Sequence, residues 1–190
     1  MQGKQGRAGR YGVMNVIDIN INDFKKDLTW SELPAQYIQY LKAIIHWWPK
    51  VNEWDRIIDL VQQKQGKDIT ITLPDGEIKK LQFKSRRNDY GDFLIEYRHD
   101  YYTGNHSPGW IEKESDIDYL IYCSPKRIFR IEWLTLVNAW KNNKIDWIAN
   151  YDLTPAENKE YCTRNVGILW NILKEAEVIY EEYLCGSMLT

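Results

Sequence analysis

The chain has 190 residues, 44% of them apolar, and a formal net charge of −2. That length and apolar content suit one domain with a substantial core, and no run of about 20 apolar residues marks a membrane span. The near-neutral balance excludes the overall pull that a strongly basic domain exerts on nucleic acid, so any attraction to phosphate must come from local patches.

Residues 1–14 carry Lys4, Arg7 and Arg10 without an acid and read as a flexible basic tail, solubilising or weakly phosphate-binding, ahead of a single domain over 15–190. No apolar signal core follows those basic residues. Val16–Ile21 alternates as a short strand. Thr29 or Ser31 caps a helix that carries Tyr37, Ile38, Leu41, Ile44, Ile45 and Trp48 at helical spacing until Pro49 stops it. Asn52 caps a second helix through Trp54, Ile57, Ile58 and Val61, ending near Gly66.

A hairpin over residues 68–84 follows. Both arms alternate with the period of two of a half-buried strand, with Ile69, Ile71 and Leu73 on one face of the first and Leu81 and Phe83 on the matching face of the second. A two-residue Asp-Gly turn would set Asp68 against Phe83 and mix polar with apolar faces. A three-residue loop, Pro74-Asp75-Gly76, with Gly76 at positive φ, pairs Leu73 with Glu77 and Asp68 with Gln82. Opposed side chains in such a pair have Cβ atoms about 5 Å apart. Asp68, Gln82 and Lys84 therefore converge at one end of the hairpin. A carboxylate and an amide oxygen are ligands for a hard ion such as Mg²⁺, or Mn²⁺, and a neighbouring cation suits water activation or charge developing on a phosphate. The neighbouring carboxylates are expected to keep Lys84 protonated.

Further elements follow in order: a third strand over 92–97, a polar and aromatic loop from Arg98 to Trp110, a fourth strand over 117–123 and a short continuation at 128–131. Glu132–Asn142 repeats Trp133, Leu136, Val137 and Trp140 on one helical face. Tyr161–Leu169 reads as a strand, and the charged segment Asn171–Leu184 as a closing helix. Most of the nine tryptophans recur at helical spacing, as core residues do. The loop, with His99, His106 and several tyrosines, is long enough to be functional and offers stacking surfaces for a flexible strand. Lys79, Lys80, Lys84, Arg86 and Arg87 form a basic strip continuous with the hairpin site, which makes Lys80, Arg86 and Arg87 candidate phosphate contacts. Glu96 interrupts an otherwise apolar strand, so a site-facing carboxylate and a surface position are both open for it. Cys123, Cys162 and Cys185 are odd in number and lack zinc-site spacing, which reads as reduced thiols in a cytoplasmic protein.

Upstream, Asp59-Leu-Val-Gln-Gln-Lys-Gln-Gly66-Lys-Asp68 adds a second acid ahead of the strand. Over roughly residues 50–170 the chain resembles the PD-(D/E)xK nuclease superfamily. Its Gln-x-Lys element looks like that of the Mrr-like restriction branch, and Phe93-Leu-Ile-Glu96-Tyr, Gly109-Trp110-Ile and Asp118-Tyr-Leu-Ile-Tyr122 look similar to small phage and plasmid nucleases. The resemblance implies an α/β (α+β) fold, with a restriction-endonuclease-like mixed central sheet flanked by helices. It also implies a metal held by Asp59, Asp68 and Gln82, with Lys84 assisting water attack and Glu96 orienting Lys84 or holding a metal-bound water. Spacing favours Asp59 as the first acid, while Glu53 and Asp55, earlier on the expected helix, are alternatives. DNA is the implied partner, a homodimer is allowed, and the setting is the cytoplasm of a bacterium or phage-infected host. Gln82 stands where the commonest pattern has an acid. A nuclease-fold DNA-binding or virion-associated module without catalysis is therefore the alternative.

Overall fold

The computed structural model describes residues 42–50, 53–56, 68–86 and 88–184, with the backbone alone at 53–56. The basic tail, the strand at 16–21, the start of the first helix, Asp59, Arg87 and Cys185 lie outside the described residues. The fold is mixed α/β, with ten strands in two sheets and three helical segments.

Residues 42–47 (α1) are helical and stop before Pro49, as the cap pattern predicts. The expected second helix is corrected, because Glu53–Arg56 is a strand (β1) pairing antiparallel with β2 (Ile69–Thr72). Its apolar spacing fits a helix, but β2 presents an edge that needs a partner, and tertiary pairing overrides a weak local preference. Glu53 and Asp55 therefore occupy register positions opposite Thr72 and Thr70.

The hairpin forms in the expected register. β2 pairs with β3 (Ile78–Ser85) through Ile69 opposite Leu81 and Thr72 opposite Ile78, and Asp68, just ahead of β2, donates its N–H to the Leu81 carbonyl. Leu73 N–H donates to the Glu77 carbonyl at 2.8 Å and Gly76 N–H to the Leu73 carbonyl at 2.9 Å, closing the three-residue turn. Gly76 has φ +86, a conformation that glycine adopts without a Cβ clash.

The chain then leaves this sheet. β4 (Asp92–Tyr101) turns into β5 (His106–Pro108), a 3-10 turn spans Trp110–Glu112, and only then does β6 (Tyr119–Cys123) return, parallel to β3. The stretch expected to be a loop from Arg98 to Trp110 is thus a β-hairpin closed at Gly104, whose φ is +89. β7 (Arg127–Glu132) folds back on β6, and Trp133–Tyr151 forms α2, longer than its apolar periodicity implied. β8 (Ala156–Glu157) and β9 (Tyr161–Leu169) follow, and β9 has its expected bounds. The strands therefore divide between a six-stranded sheet, ordered β1-β2-β3-β6-β7-β10, and a four-stranded one, ordered β5-β4-β9-β8.

The closing helix is corrected to a short helix, Trp170–Glu175 (α3), and an edge strand, Tyr180–Leu184 (β10), paired with β7. Glu177 takes φ 59, Val178 N–H donates to the Leu173 carbonyl and Glu177 N–H to the Lys174 carbonyl, each at 3.0 Å. That is a Schellman stop with buried Leu173 and Val178 as its apolar contact. A glutamate in the left-handed region costs about 1 kcal/mol, so no glycine marks the stop.

Two apolar layers cover the larger sheet. Ile69, Ile71, Leu81, Phe83, Ile121, Cys123 and Ile128 pack on Ala43, Ile44 and Trp48 of α1. On the opposite face Leu120, Tyr122, Phe129 and Ile131 pack against Phe93, Ile95, Val166 and Ile168 of the smaller sheet and against α2 and α3. Trp48, Trp110, Trp133, Trp140 and Trp147 are all buried, as core tryptophans are expected to be. Cys162 is a free thiol. Among the described residues no helix is long and apolar enough to cross a membrane.

Asp89 ties the crossover to β7. It accepts a hydrogen bond from Arg127 Nε at 2.8 Å and from Ser124 Oγ at 3.3 Å, and the Arg127 guanidinium holds its pKa down at about 2. A depressed carboxylate pKa stabilises the fold above the unfolded value near 4, and that gain is lost as pH falls toward 2. The pair lies near the surface, so solvent screening leaves about 1 kcal/mol. The difference in urea midpoint between wild type and Asp89→Asn is expected to be present at pH 7 and to close by pH 2.

Candidate functional site

The polar face of the hairpin is the same face that, one strand further, becomes the apolar inter-sheet core. The parallel register sets Gln82 beside Leu120 and Lys84 beside Tyr122, both packed in that core. This neighbourhood buries polar groups that a solvated hairpin would leave in water.

Asp68 N–H donates to the Leu81 carbonyl at 2.9 Å, and Asp68 Oδ2 accepts the Phe83 N–H at 2.7 Å. Asp68 is thereby held across the hairpin by Leu81 and Phe83, the residues on either side of Gln82. Gln82 is 5% exposed, and its Oε1 has no hydrogen-bond partner among the described residues. Buried amide oxygens are nearly always satisfied, so an orphan beside a fixed carboxylate fits a hard cation that takes oxygen ligands. Among the described residues no group of three His, Cys, Asp or Glu side chains is placed to hold a metal. The donors at the hairpin are one carboxylate and one amide. Replacing Gln82 by methionine removes the orphan at similar volume and is expected to raise stability by about 1 kcal/mol without divalent ions. The same change should abolish any gain on adding Mn²⁺, read from urea midpoints with and without the ion. Destabilisation by Gln82→Met would show that the amide is satisfied within the fold.

Lys84 is partly buried, with Nζ 5.8 Å from the centre of the Trp110 ring. Burial pushes its pKa down, the carboxylates of Glu96 and Asp68 oppose that, and Lys113 adds to the lowering. Desolvation beside the inter-sheet core outweighs the pull of the two carboxylates, which act in the expected direction.

Glu96 lies within β4, and its Oε1 is 3.2 Å from His99 Nε2. Residues three apart on a regular strand face opposite ways. A β-bulge between Glu96 and Arg98, opposite Asn165 and Arg164, brings the two together. His99 Nδ1 is also 3.4 Å from Thr163 Oγ1, which fixes the ring from the other side. Gly109 presses on the same bulge: its N–H donates to the Tyr97 carbonyl at 2.9 Å, and any Cβ there would collide with the Glu96 backbone. This close approach carries Trp110 over Lys84.

The basic strip is largely neutralised. Lys79 Nζ lies 2.6 Å from Glu77, Lys80 Nζ 2.6 Å from Asp116, and Arg86 pairs with Asp92 while stacking on Tyr90 at 4.6 Å. Lys80 and Arg86 thus have acid partners, and Arg87 lies outside the described residues. Gln82 and Lys84 share one face of β3, the charges of Glu96 and Asp68 both act on Lys84, and Asp59 lies outside the described residues. The contact of Trp110 with Lys84 and that of Glu96 with His99 were not legible in the sequence. Each depends on the path of the crossover or on the bulge, and only the Gly109-Trp110 pair hinted at it.

Comparison of the chain with protein-family models, with curated proteins and with solved structures found no match.

Proposed function

We propose that this protein is a divalent-metal-dependent nuclease that hydrolyses DNA phosphodiester bonds. The observation that carries the reading is the buried, unpartnered Oε1 of Gln82, next to Phe83 whose N–H holds the Asp68 carboxylate, with Lys84 on the same strand face as Gln82. The resemblance to PD-(D/E)xK nucleases adds to it. So does the succession of an antiparallel hairpin, a strand parallel to its second arm, and a helix. A restriction-endonuclease-like fold is part of the proposal, with the crossover from β3 to β6 built from a hairpin in a second sheet.

Asp68 and Gln82, with Asp59, would hold Mg²⁺ or Mn²⁺. A bound ion of this kind supplies Lewis-acid activation of water and neutralises charge on the scissile phosphate. Lys84, in its desolvated position against Trp110, donates to the phosphate oxygen on which charge develops. Glu96, held by His99, orients the Lys84 ammonium. Phe83 N–H fixes the Asp68 carboxylate so that it need not reorganise during the reaction.

The test is incubation of supercoiled and linear DNA with the purified protein in Mg²⁺ or Mn²⁺, with EDTA as control. Cleavage that needs the ion and is lost in Asp68→Ala supports the proposal, and no cleavage of any DNA sinks it. Gln82 in place of an acid favours a second reading, a nuclease-fold DNA-binding or virion-associated module without catalysis. Calorimetry that finds no divalent ion bound, with DNA still retained, would select that module.

A further inference from the structure

We propose that Tyr90 is a stacking platform for an unpaired base, so that the strand reaching the hairpin site is single-stranded or locally opened. The inference rests on the nuclease reading and names the substrate class that the site admits.

The first observation is an aromatic ring that is exposed and yet held in place. Tyr90 is 64% exposed. The Arg86 guanidinium lies 4.6 Å from the centre of its ring, and its hydroxyl accepts a hydrogen bond from Asn88 Nδ2 at 2.8 Å. The loop that carries the ring is also fixed. Asp89 accepts the Gly91 N–H at 3.0 Å in addition to its bonds from Ser124 and Arg127, and Gly91 takes φ +78. Arg86 is itself anchored, by its ion pair with Asp92 and by its N–H, which donates to the Cys123 carbonyl at 2.8 Å. With a guanidinium over one face and most of the residue in solvent, the other face of the ring is free to take a second flat group. A Cβ at Gly91 would meet nothing within 4 Å, so the space beside the ring is open. A ring already held gives up little freedom when it is covered.

The second observation is where the ring stands. Cys123 is the register partner of Ser85, so the bond from Arg86 N–H carries the β3 ladder one residue further. Arg86 thus follows Gln82 and Lys84 at the two-residue interval of one strand face, about 7 Å beyond Lys84 along the strand. A strand whose phosphate lies at the hairpin runs past the Tyr90 ring. Every base has a π-face, and stacking on an aromatic side chain is tolerant of sequence but needs a base freed from its neighbours. Paired bases are already stacked on one another, which is why the ring selects an unpaired strand.

The experiment is fluorescence anisotropy with the full chain in Ca²⁺, to limit turnover, using labelled oligothymidine, an abasic strand of the same length and a duplex. Tyr90→Ala is expected to weaken binding of oligothymidine about tenfold, with the salt slope unchanged because no charge is removed. Tyr90→Phe keeps the ring and should bind as wild type does. The abasic strand and the duplex should not distinguish Tyr90→Ala from wild type. Tyr102→Ala is the control, because Tyr102 is 60% exposed but follows the far end of β4, about 30 Å away along that strand. Unchanged oligothymidine binding by Tyr90→Ala overturns the inference, as does equal weakening on the abasic strand or by Tyr102→Ala. Failure of wild type to bind any oligonucleotide overturns it too. Base-dependent binding without cleavage in Mg²⁺ or Mn²⁺ removes the nuclease reading and leaves the platform. Cleavage by wild type that Tyr90→Ala matches, with equal binding, removes the platform and leaves the nuclease.

Discussion

Lys84→Ala is expected to lower metal-dependent DNA cleavage by about 10² to 10³-fold, the range seen when one preorganised donor to a developing charge is removed. The magnitude follows from the environment of Lys84. Its ammonium is partly buried beside Trp110, where the pull of Glu96 and Asp68 does not outweigh desolvation. A donor in such a setting is worth more than one in water because little solvent screens it. Binding of oligonucleotide in Ca²⁺ should change far less than turnover, since the donor acts where charge develops. Removing a desolvated charge costs the fold little, so the melting temperature of Lys84→Ala should equal or exceed that of wild type. Lys84→Arg is not expected to rescue, because a planar fork does not fit the space of a compact ammonium. A Lys84→Ala protein that cleaves at the wild-type rate would remove Lys84 from the chemistry.

Trp140→Ala is expected to destabilise the fold by about 3 to 5 kcal/mol, the usual cost of emptying a buried tryptophan site. Trp140 is 1% exposed, lies on α2, and packs on Trp147 at 6.2 Å and on Tyr97 at 5.9 Å between ring centres. Its Nε1 donates to Glu112 Oε1 at 2.7 Å, which ties α2 to the 3-10 turn. For a chain of this length, the loss corresponds to a fall in melting temperature of about 10 °C. Trp140→Phe separates the two contributions, because it keeps most of the packing and loses only the hydrogen bond, at about 1 to 2 kcal/mol. The same variant should impair the site, because the turn that presents Trp110 loses its tether. A Trp140→Ala protein within 1 kcal/mol of wild type by urea titration would contradict the packing described.

The hairpin was legible because two local constraints agree. Its polar and apolar residues alternate along Asp68–Leu73 and Lys80–Lys84, and only the three-residue turn with Gly76 at positive φ keeps the faces matched. β9 was legible for a similar reason. The segment at 53–56 was not, because Trp54 and Ile57 satisfy helical spacing while the edge of β2 offers hydrogen bonds that no local pattern records. The Schellman stop at Glu177 was hidden because the left-handed residue is not glycine. The site divides in the same way. The shared face of Gln82 and Lys84 follows from strand alternation alone, whereas the contact of Glu96 with His99 needs the bulge opposite Asn165 and Arg164. The basic strip is continuous in sequence, but Asp116 and Asp92 meet Lys80 and Arg86 only after the chain has crossed to the second sheet.

By itself the sequence determined which residues share a strand face, because side-chain alternation is a property of the extended backbone and survives any tertiary context. It therefore determined that Gln82 and Lys84 share one face of the second arm of a hairpin. Tertiary structure alone decided that this polar face runs on into an apolar core. The reason is that β6 lies parallel to β3 and packs on a second sheet formed by the intervening chain. That placement buries the Gln82 oxygen without a partner among the described residues and desolvates Lys84.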